Sequence, residues 1–364
     1  MKIFALYLPQ FHEIPENNEW WGKGFTEWTN VRAAKSLFPG HNQPIEPMDG
    51  RYYDLRDKET VKWQTELMKS YGISGMIYYH YYFEGRKLLE KPAENLLRWK
   101  DIDQPYFFCW ANHSWNRAWK GSRELLLEQT YGTENEWRKH FEYLLPFFQD
   151  ERYEKKDNKP LFMIYNTAFP EKNSIIECFD QWCREYGFDG IYPIELCMNI
   201  TNDALAKFEE NASPITQKYF LTEPLIGRVM AYPVKTIPQK IAYLLENKLR
   251  AKGIIKSVKI YNGNKIYDTI TKRLPRGDKF MHGLFFGWDN TPRHSHRGFI
   301  ITPPSKERFL KYADTLKDDE YVVVNAWNEW AEGMILEPTV HNGYKYLSWI
   351  KEWIENGHSR TGKG

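Results

Sequence analysis

The stretch VVVNAWNEWAEGMILEP occupies residues 322–338, near the end of the chain. It opens with three valines, and such a β-branched run predicts a short strand that is buried on both faces. Two carboxylates three residues apart, Glu329 and Glu332, then stand among tryptophans. A buried carboxylate without a partner costs several kcal/mol or stays protonated. A pair of them directly after a buried strand therefore indicates a function.

Carboxylates that alternate with indole rings are typical of a sugar site. The rings stack on the apolar C–H faces of pyranoses, and the acids carry protons in glycosidic chemistry. If the turn after Trp327 is helical, the two glutamates share one face, with about 5–6 Å between their Cβ atoms. The structural alternative is that one of them caps a helix or pairs with Arg293 or Arg297.

Length and composition limit the class of protein. The chain has 364 residues, which fits two domains of roughly 150 residues or one longer α/β barrel. Aromatic residues make up 16%, so part of them is expected to line a surface cleft. The formal net charge is +2 with both signs dispersed, which argues against a nucleic-acid-binding protein. The four cysteines lack metal-ligand or secreted-framework spacing and are expected to be reduced.

The N-terminus and the histidines predict a soluble protein without a metal. The first apolar run ends at Pro9, too short for a signal-peptide core, and no stretch approaches the roughly 18 apolar residues of a membrane span. We therefore expect a cytoplasmic protein without membrane insertion, unless a leader was removed. His294 and His296 lack a third ligand, and the neighbouring arginines would repel a cation.

Strands and helices are predicted to alternate. Strands are predicted at 2–8, 73–83, 106–109, 160–165, 191–198, 281–286 and 322–324, with one more at 218–221 or 228–231. Helices are predicted at 57–71, 88–99, 134–148, 175–186, 267–273, 305–317 and 344–355. This alternation implies βαβ units and a parallel sheet.

About eight strands favour an α/β fold of the (β/α)8 barrel type over a doubly wound sheet. The predicted strands become aromatic or polar at their C-terminal ends, which in this barrel converge on the face that holds active sites. No glycine-rich phosphate loop follows the first strand, and no low-complexity linker divides the chain. We expect one barrel domain over residues 1–364, with long βα loops.

Further candidates for substrate contact lie near these strand ends. Trp110 and Asn112 would place a stacking ring beside an amide that both donates and accepts. Each candidate also has a structural interpretation: Glu27 could partner an arginine, His80 could be a satisfied core histidine, and Tyr7 could fill the barrel mouth. The residues expected to contact substrate are Tyr7, Glu27, Trp28, Tyr79, His80, Trp110, Asn112, Asp289, Arg293, Trp327 and Asn328. Asp289 and Arg293 could equally pair with each other and hold their loop.

Several runs carry a resemblance to a known family: ALYLPQFHEIPENNEWWGKGFTEWTNV, YYHYYF, LLEKP, CWAN, GWDNTPR and NAWNEWAEG. They resemble the WbsX-type proteins of bacterial polysaccharide loci, which are often labelled glycosyltransferase or lipopolysaccharide biosynthesis protein. That family is similar in turn to the family 99 glycoside hydrolases, the endo-α-mannosidases and endo-α-mannanases. The motifs run from Leu6 to Pro338, and the resemblance implies a (β/α)8 barrel.

The resemblance also implies a mechanism. Glu329 would act as a base on the sugar's 2-hydroxyl, which attacks the anomeric carbon and forms a 1,2-anhydro sugar. Glu332 would protonate the leaving oxygen and later activate water, with net retention and without a metal or nucleotide. The hydrolases typically have histidine where Ala331 stands here, so mannose specificity does not carry over.

Residues and resemblance together predict a retaining glycoside hydrolase that acts on an α-linked, mannose-type oligo- or polysaccharide. The alternative is a glycosyltransferase of O-antigen or capsular polysaccharide assembly, which a basic, phosphate-sized pocket near Arg293 and Arg297 would favour. A third possibility is a sugar-binding protein without catalysis, in which the two glutamates lie far apart. The absence of a nucleotide-diphosphate motif favours hydrolysis or transglycosylation.

Overall fold

The chain forms a closed barrel of eight parallel strands in the computed structural model, which describes residues 1–117, 124–201, 203–234 and 236–361. We number the barrel strands β1 (Lys2–Tyr7), β2 (Gly75–Phe83), β3 (Tyr106–Trp110), β4 (Lys159–Ile164), β5 (Tyr192–Cys197), β6 (Lys218–Leu221), β7 (Phe280–Leu284) and β8 (Tyr321–Val324). Each strand pairs in parallel with the next, and β8 closes the barrel on β1. The (β/α)8 barrel expected from the sequence is confirmed.

Helices follow the strands along the chain. Their bounds are Pro15–Trp21, Glu27–Ala33, Lys58–Ser70, Lys91–Arg98, Glu134–Phe148, Lys172–Glu185, Ala204–Asn211, Leu225–Ala231, Ile237–Ala251, Gly263–Arg273, Thr291–His294, Lys306–Ala313 and Lys345–Thr361. Polar residues cap the starts of several of them, because a side-chain oxygen satisfies amides that have no partner within the helix. Asp57, for example, accepts from the amides of Glu59 and Thr60.

The chain also forms short strands and 3-10 turns outside the eight barrel strands. The short strands are Arg86–Leu88, Trp115–Asn116, Leu125–Leu127, Lys155–Lys156, Lys259–Tyr261, Trp288–Asp289, Phe299–Ile301, Asn328–Glu329 and Met334–Ile335. The 3-10 turns are Met48–Gly50, Ser295–Arg297, Asp314–Leu316 and Trp330–Glu332. Most of these elements lie in segments that follow a barrel strand, where the sequence predicted long loops.

Several segments differ from the sequence-based expectation, among them the helices Ala204–Asn211 and Ile237–Ala251, which the sequence analysis did not predict. Residues 228–231, one of two candidates for the sixth strand, lie in the helix Leu225–Ala231, and the strand is Lys218–Leu221. The sequence analysis predicted no helix in the long segment after β1, but it contains the helices Pro15–Trp21 and Glu27–Ala33. A proline at the first helical position starts one of them and a capping box starts the other, which are signals that short helices need because their apolar period is weak.

The barrel interior and the shell around it form one apolar core. Strand β3 is buried at every position, and Trp327 and Trp330 are among the largest side chains with no more than 1% exposure. The four cysteines are free thiols, and three of them are buried. Glycine is required where β2 begins, because a Cβ on Gly75 would lie 2.6 Å from the carbonyl oxygen of Pro105.

We expect Gly75→Ala to destabilise the barrel by about 1–3 kcal/mol, since backbone atoms must move to admit the methyl group. Urea denaturation followed by circular dichroism measures this change. The matched control is Gly357→Ala in the helix Lys345–Thr361, where a Cβ meets nothing within 4 Å. That substitution should be neutral or stabilise the fold by up to about 1 kcal/mol. Equal midpoints for both variants would contradict the packing argument.

Candidate active site

A cavity of about 320 Å³ opens at the C-terminal ends of the barrel strands. Aromatic rings form much of its wall: Trp21, Tyr79, Tyr81, Trp115, Tyr165 and Trp288. Its charged and strongly polar lining comprises Gln10, Asn17, His113, Asn116, Arg293, Asn325, Glu329 and Glu332. Apolar rings beside acids and amides suit a sugar, which has both apolar faces and hydroxyl groups.

A tight reversal of the chain after β8 places the two glutamates in this cavity. Asn328–Glu329 pairs in antiparallel with Met334–Ile335, and the 3-10 turn Trp330–Glu332 lies between them. Gly333 completes the reversal with φ of 63°, a left-handed conformation that favours glycine. The turn is therefore a 3-10 turn within a small ribbon, not the start of an α-helix.

Arg293 holds the two glutamates together. It lies in the short helix Thr291–His294, and its side chain is only 9% exposed. Its Nη1 contacts Glu332 Oε1, and its Nη2 lies 3.3 Å from Glu329 Oε2. Nη2 also contacts Glu27 Oε1 at 2.5 Å, and Nε donates to the same oxygen at 2.9 Å. One guanidinium thus joins three carboxyl groups.

The charges in this cluster do not balance, and burial makes the imbalance costly. The pKa of Glu329 is raised to about 8: burial is the largest cause, Arg293 opposes it, and the charges of Glu332 and Glu27 add to it. Burial also raises the pKa of Glu27, although its ion pair with Arg293 opposes the shift. Burial lowers the pKa of Arg293, but the three carboxylates raise it more, so the guanidinium stays charged. At neutral pH, Glu329 therefore carries a proton while Glu332 is ion-paired.

This distribution of the proton differs from the roles that the resemblance implies. There Glu329 is the base and Glu332 the acid, whereas in the free protein the proton resides on Glu329. Arg293 contacts both carboxyl groups, so the two glutamates share one cationic partner. The state with one acid and one carboxylate is the one that acid–base catalysis needs.

Glu337 anchors the turn from beneath. Its side chain is buried, and Oε1 accepts hydrogen bonds from Gln64 Nε2 at 2.6 Å and Trp327 Nε1 at 2.8 Å. Oε2 accepts from the Tyr53 hydroxyl and from Trp330 Nε1, both at 2.7 Å. Both tryptophans of the NAWNEW motif therefore serve as donors to a buried carboxylate and do not stack on a ligand from the cavity wall.

Four of the residues predicted to contact substrate lie instead in the buried layer around Glu337, beneath the cavity. Tyr7 donates to Gln64 Oε1 at 2.6 Å, and Trp28 Nε1 donates to a backbone carbonyl at 2.8 Å. Asn328 bonds the backbone of Leu8 with both ends of its amide. Trp327 has no exposed surface. These side chains support the site from below, and Glu27 supports it by holding Arg293.

The pleat of β2 separates two neighbouring candidates. Tyr79 and Tyr81 line the cavity, whereas His80 points away from it and meets His140 Nε2 at 2.8 Å. Successive side chains of a strand point to opposite faces, so Tyr79 and His80 could not both face the cavity. The same alternation identifies Tyr81, which the sequence analysis did not select.

Trp110, Asn112 and Asp289 also lie outside the cavity wall. Trp110 is buried and packs edge-on against His140, with ring centres 4.9 Å apart. Asn112 braces the next loop through two hydrogen bonds to the backbone of Asn166. Asp289 accepts from His41 and Gln43, at 2.8 Å each, and fixes the loop that precedes Arg293.

Several wall residues were not selected from the sequence: Trp21, Tyr81, His113, Trp115, Tyr165 and Trp288. Trp115 contacts the rings of Trp20 and Tyr81, with centres 5.7 and 5.1 Å apart. These rings come from five different loops or strand ends, so only the closed barrel brings them together. The run WANHSW contains two of them and was the strongest available signal.

A second cavity of about 950 Å³ adjoins the first. The two share His113, Tyr165 and Leu196, so they form one cleft along the mouth of the barrel. The second cavity lies beyond β4 and β5 and is lined with amides and rings, including Asn166, Phe169 and Asn199. A cleft of this length has room for more than one sugar unit.

Comparison with known families assigns the chain. The family described as Glycosyltransferase WbsX matches residues 3–350. The chain belongs to the WbsX glycosyltransferase family. The resemblance found in the sequence motifs is thereby confirmed, and the family makes the chain a relative of carbohydrate-active enzymes.

A curated relative and two solved structures extend the comparison. WxcX from Xanthomonas campestris pv. campestris (strain B100) is 30% identical over 366 residues, covering 95% of this chain and 48% of WxcX. The chain thus spans about half the length of the curated relatives it matches. The GH99 endo-alpha-mannosidase from Bacteroides thetaiotaomicron has a TM-score of 0.54 at 13% identity, covering 99% of this chain and 98% of that one. A glycoside hydrolase-like protein has a TM-score of 0.57 at 12% identity, covering 97% and 93%. At such identities the likeness shows the fold alone.

The described residues contain neither a candidate membrane span nor a candidate metal centre. None of the helices in this part of the chain is long and apolar enough to cross a bilayer. The same residues include no group of three or more His, Cys, Asp or Glu side chains placed to hold a metal ion.

We expect Glu337→Gln to lower the free energy of unfolding by about 2–3 kcal/mol. The amide NH₂ would face two donors in either orientation, which leaves buried polar groups unpaired. Urea denaturation at neutral pH measures the change, with exposed Glu355→Gln as a control that should stay within about 0.5 kcal/mol of the parent. An unchanged midpoint for Glu337→Gln would show that the four donors do not depend on the carboxylate.

Proposed function

We propose that the chain is a carbohydrate-active enzyme that cleaves α-linked oligo- or polysaccharide with retention of configuration, through attack by the neighbouring 2-hydroxyl. The observation that carries this proposal is the pair of glutamates on one guanidinium, in a cavity walled by aromatic rings. The rings would stack on sugar faces, and the pair would move the protons.

The first step needs one acid and one base. The base removes the proton of the 2-hydroxyl, and that oxygen forms a bond to the anomeric carbon. The bond from this carbon to the leaving oxygen breaks, and the acid protonates the leaving oxygen. The product is a 1,2-anhydro sugar, and the proton of the pair has moved from one glutamate to the other.

The second step reverses these roles. The glutamate that is now a carboxylate takes a proton from water, and the water oxygen attacks the anomeric carbon. The bond to the 2-oxygen breaks, and the other glutamate returns its proton to that oxygen. Two inversions at one carbon give net retention, and the pair ends with the single proton with which it began. The resemblance assigns the first base to Glu329 and the first acid to Glu332.

The family's name supports a second candidate, a glycosyltransferase. The charges of the cavity favour hydrolysis, because a nucleotide diphosphate donor would have to approach Glu329 and Glu332. Among the described residues that line the cavity, Arg293 is the only lysine or arginine, and it is already paired with carboxylates. A donor with a phosphate group would find little uncompensated positive charge there.

The test is digestion of a panel of α-mannans and bacterial surface polysaccharides without any nucleotide sugar, with products identified by mass spectrometry. We expect new reducing ends, and we expect Glu329→Gln and Glu332→Gln each to lower turnover by at least about 10²-fold. Glu355→Gln, an exposed carboxylate outside the cleft, is the matched control and should keep full turnover.

Two outcomes would contradict the proposal. Near-normal turnover in both glutamate variants would remove them from the chemistry. Product that forms only when an activated sugar donor is supplied, and that is lost in the same variants, would establish the transferase instead.

A further inference from the structure

The helix Ile237–Ala251, between β6 and β7, has its apolar side facing away from the protein. Ile237, Ile241, Leu244 and Leu245 follow the spacing i, i+4, i+7 and i+8, which places them on one face. They are 73%, 60%, 66% and 55% exposed. A surface helix normally buries such a stripe against the protein. In this helix the apolar face is instead turned towards solvent.

The opposite face attaches the helix to the rest of the chain. Arg250 is buried, pairs with Glu246 at 2.7 Å and donates to the carbonyl oxygen of Ser257. Lys259, in the strand that follows, also pairs with Glu246, at 3.1 Å. These polar contacts fix which side of the helix faces outward.

Positive charge surrounds the exposed stripe. Residues 236–259 contain six Lys and Arg against one Glu, a net charge of +5, whereas the whole chain carries +2. The remainder of the chain is therefore net negative, and the charges are less evenly dispersed than the composition indicated. Four exposed lysines flank the stripe or follow it: Lys240, Lys248, Lys252 and Lys256. Within the described residues, none of these four forms an ion pair with a carboxylate.

We propose that this helix docks the chain on an anionic lipid surface. An apolar stripe bordered by lysines matches such a surface, because the side chains enter the acyl boundary while the lysines meet the phosphate headgroups. A protein partner would need its own apolar patch ringed by acids, whereas a membrane supplies both features over any area. At 15 residues, the helix lies along the surface and does not span the bilayer.

The helix Ile237–Ala251 lies close to the candidate active site. It packs against the 3-10 turn Ser295–Arg297, two residues beyond Arg293. Lipid docking would therefore hold the cleft close to a membrane surface, where a saccharide that is still attached to a lipid would be presented. The docking itself is independent of which reaction the site performs.

Flotation of the chain with vesicles tests the proposal. We expect binding to phosphatidylcholine vesicles that contain phosphatidylglycerol to be at least about tenfold tighter than binding to phosphatidylcholine alone. Raising the salt towards roughly 1 M, where the Debye length falls to about 3 Å, should weaken it strongly. Ile241→Glu with Leu244→Glu, and separately Lys248→Glu with Lys252→Glu, should abolish binding without changing the melting temperature.

The matched control is Val340→Glu, which changes another exposed apolar residue, 65% accessible, far from this helix in the chain. It should bind vesicles like the parent. Equal binding to both vesicle types, or unchanged binding by the two double variants, would overturn the proposal. So would a concentration-dependent dimer that the Ile241→Glu with Leu244→Glu variant breaks, without vesicle binding, because the stripe would then bind a second copy of the chain.

Discussion

One buried guanidinium organises the functional end of this barrel. Arg293 brings together Glu27, Glu329 and Glu332, which come from parts of the chain about 300 residues apart. A single positive charge cannot neutralise three carboxylates in a site from which water is largely excluded, so one carboxyl group retains its proton at neutral pH. The shortage of positive charge that destabilises the cluster thus leaves one carboxyl group protonated, and this group is the acid that the proposed glycosidic chemistry requires.

The layer beneath the cluster explains why the two glutamates have fixed positions. Glu337 receives four hydrogen bonds, and Asn328 ties the turn to the end of β1. The carboxyl groups of Glu329 and Glu332 would otherwise repel each other, and a loop without such anchors would let them move apart. Several tryptophans and amides that the sequence analysis interpreted as sugar-binding groups thus hold the turn that carries the two glutamates, and the cavity wall is formed by rings from other loops.

Part of this arrangement follows from local patterns in the sequence, and part depends on tertiary contacts. Alternating apolar runs predicted the barrel, since parallel strands buried on both faces leave a strong signal. The pair Glu329 and Glu332 was selected because carboxylates after a buried strand are costly without a function. The alternation of side chains along a strand could also have predicted that only one of the neighbours Tyr79 and His80 faces the cavity. Trp21 and Trp115, by contrast, line one cavity only because the tertiary fold brings distant loops together, which no local pattern records.

Infrared difference spectroscopy between the protein and its Glu329→Gln variant tests the central claim, that Glu329 holds a proton at neutral pH. A pKa raised to about 8 means that the proton is bound below that pH and released above it. The account predicts a protonated-carboxyl band in the difference spectrum at neutral pH that disappears as the pH rises through about 8. Burial also raises the pKa of Glu223 to about 8, but its band is common to both proteins and cancels. A difference spectrum without that band at neutral pH, or a band lost near pH 4 to 5, about the ordinary range of glutamate, would contradict it.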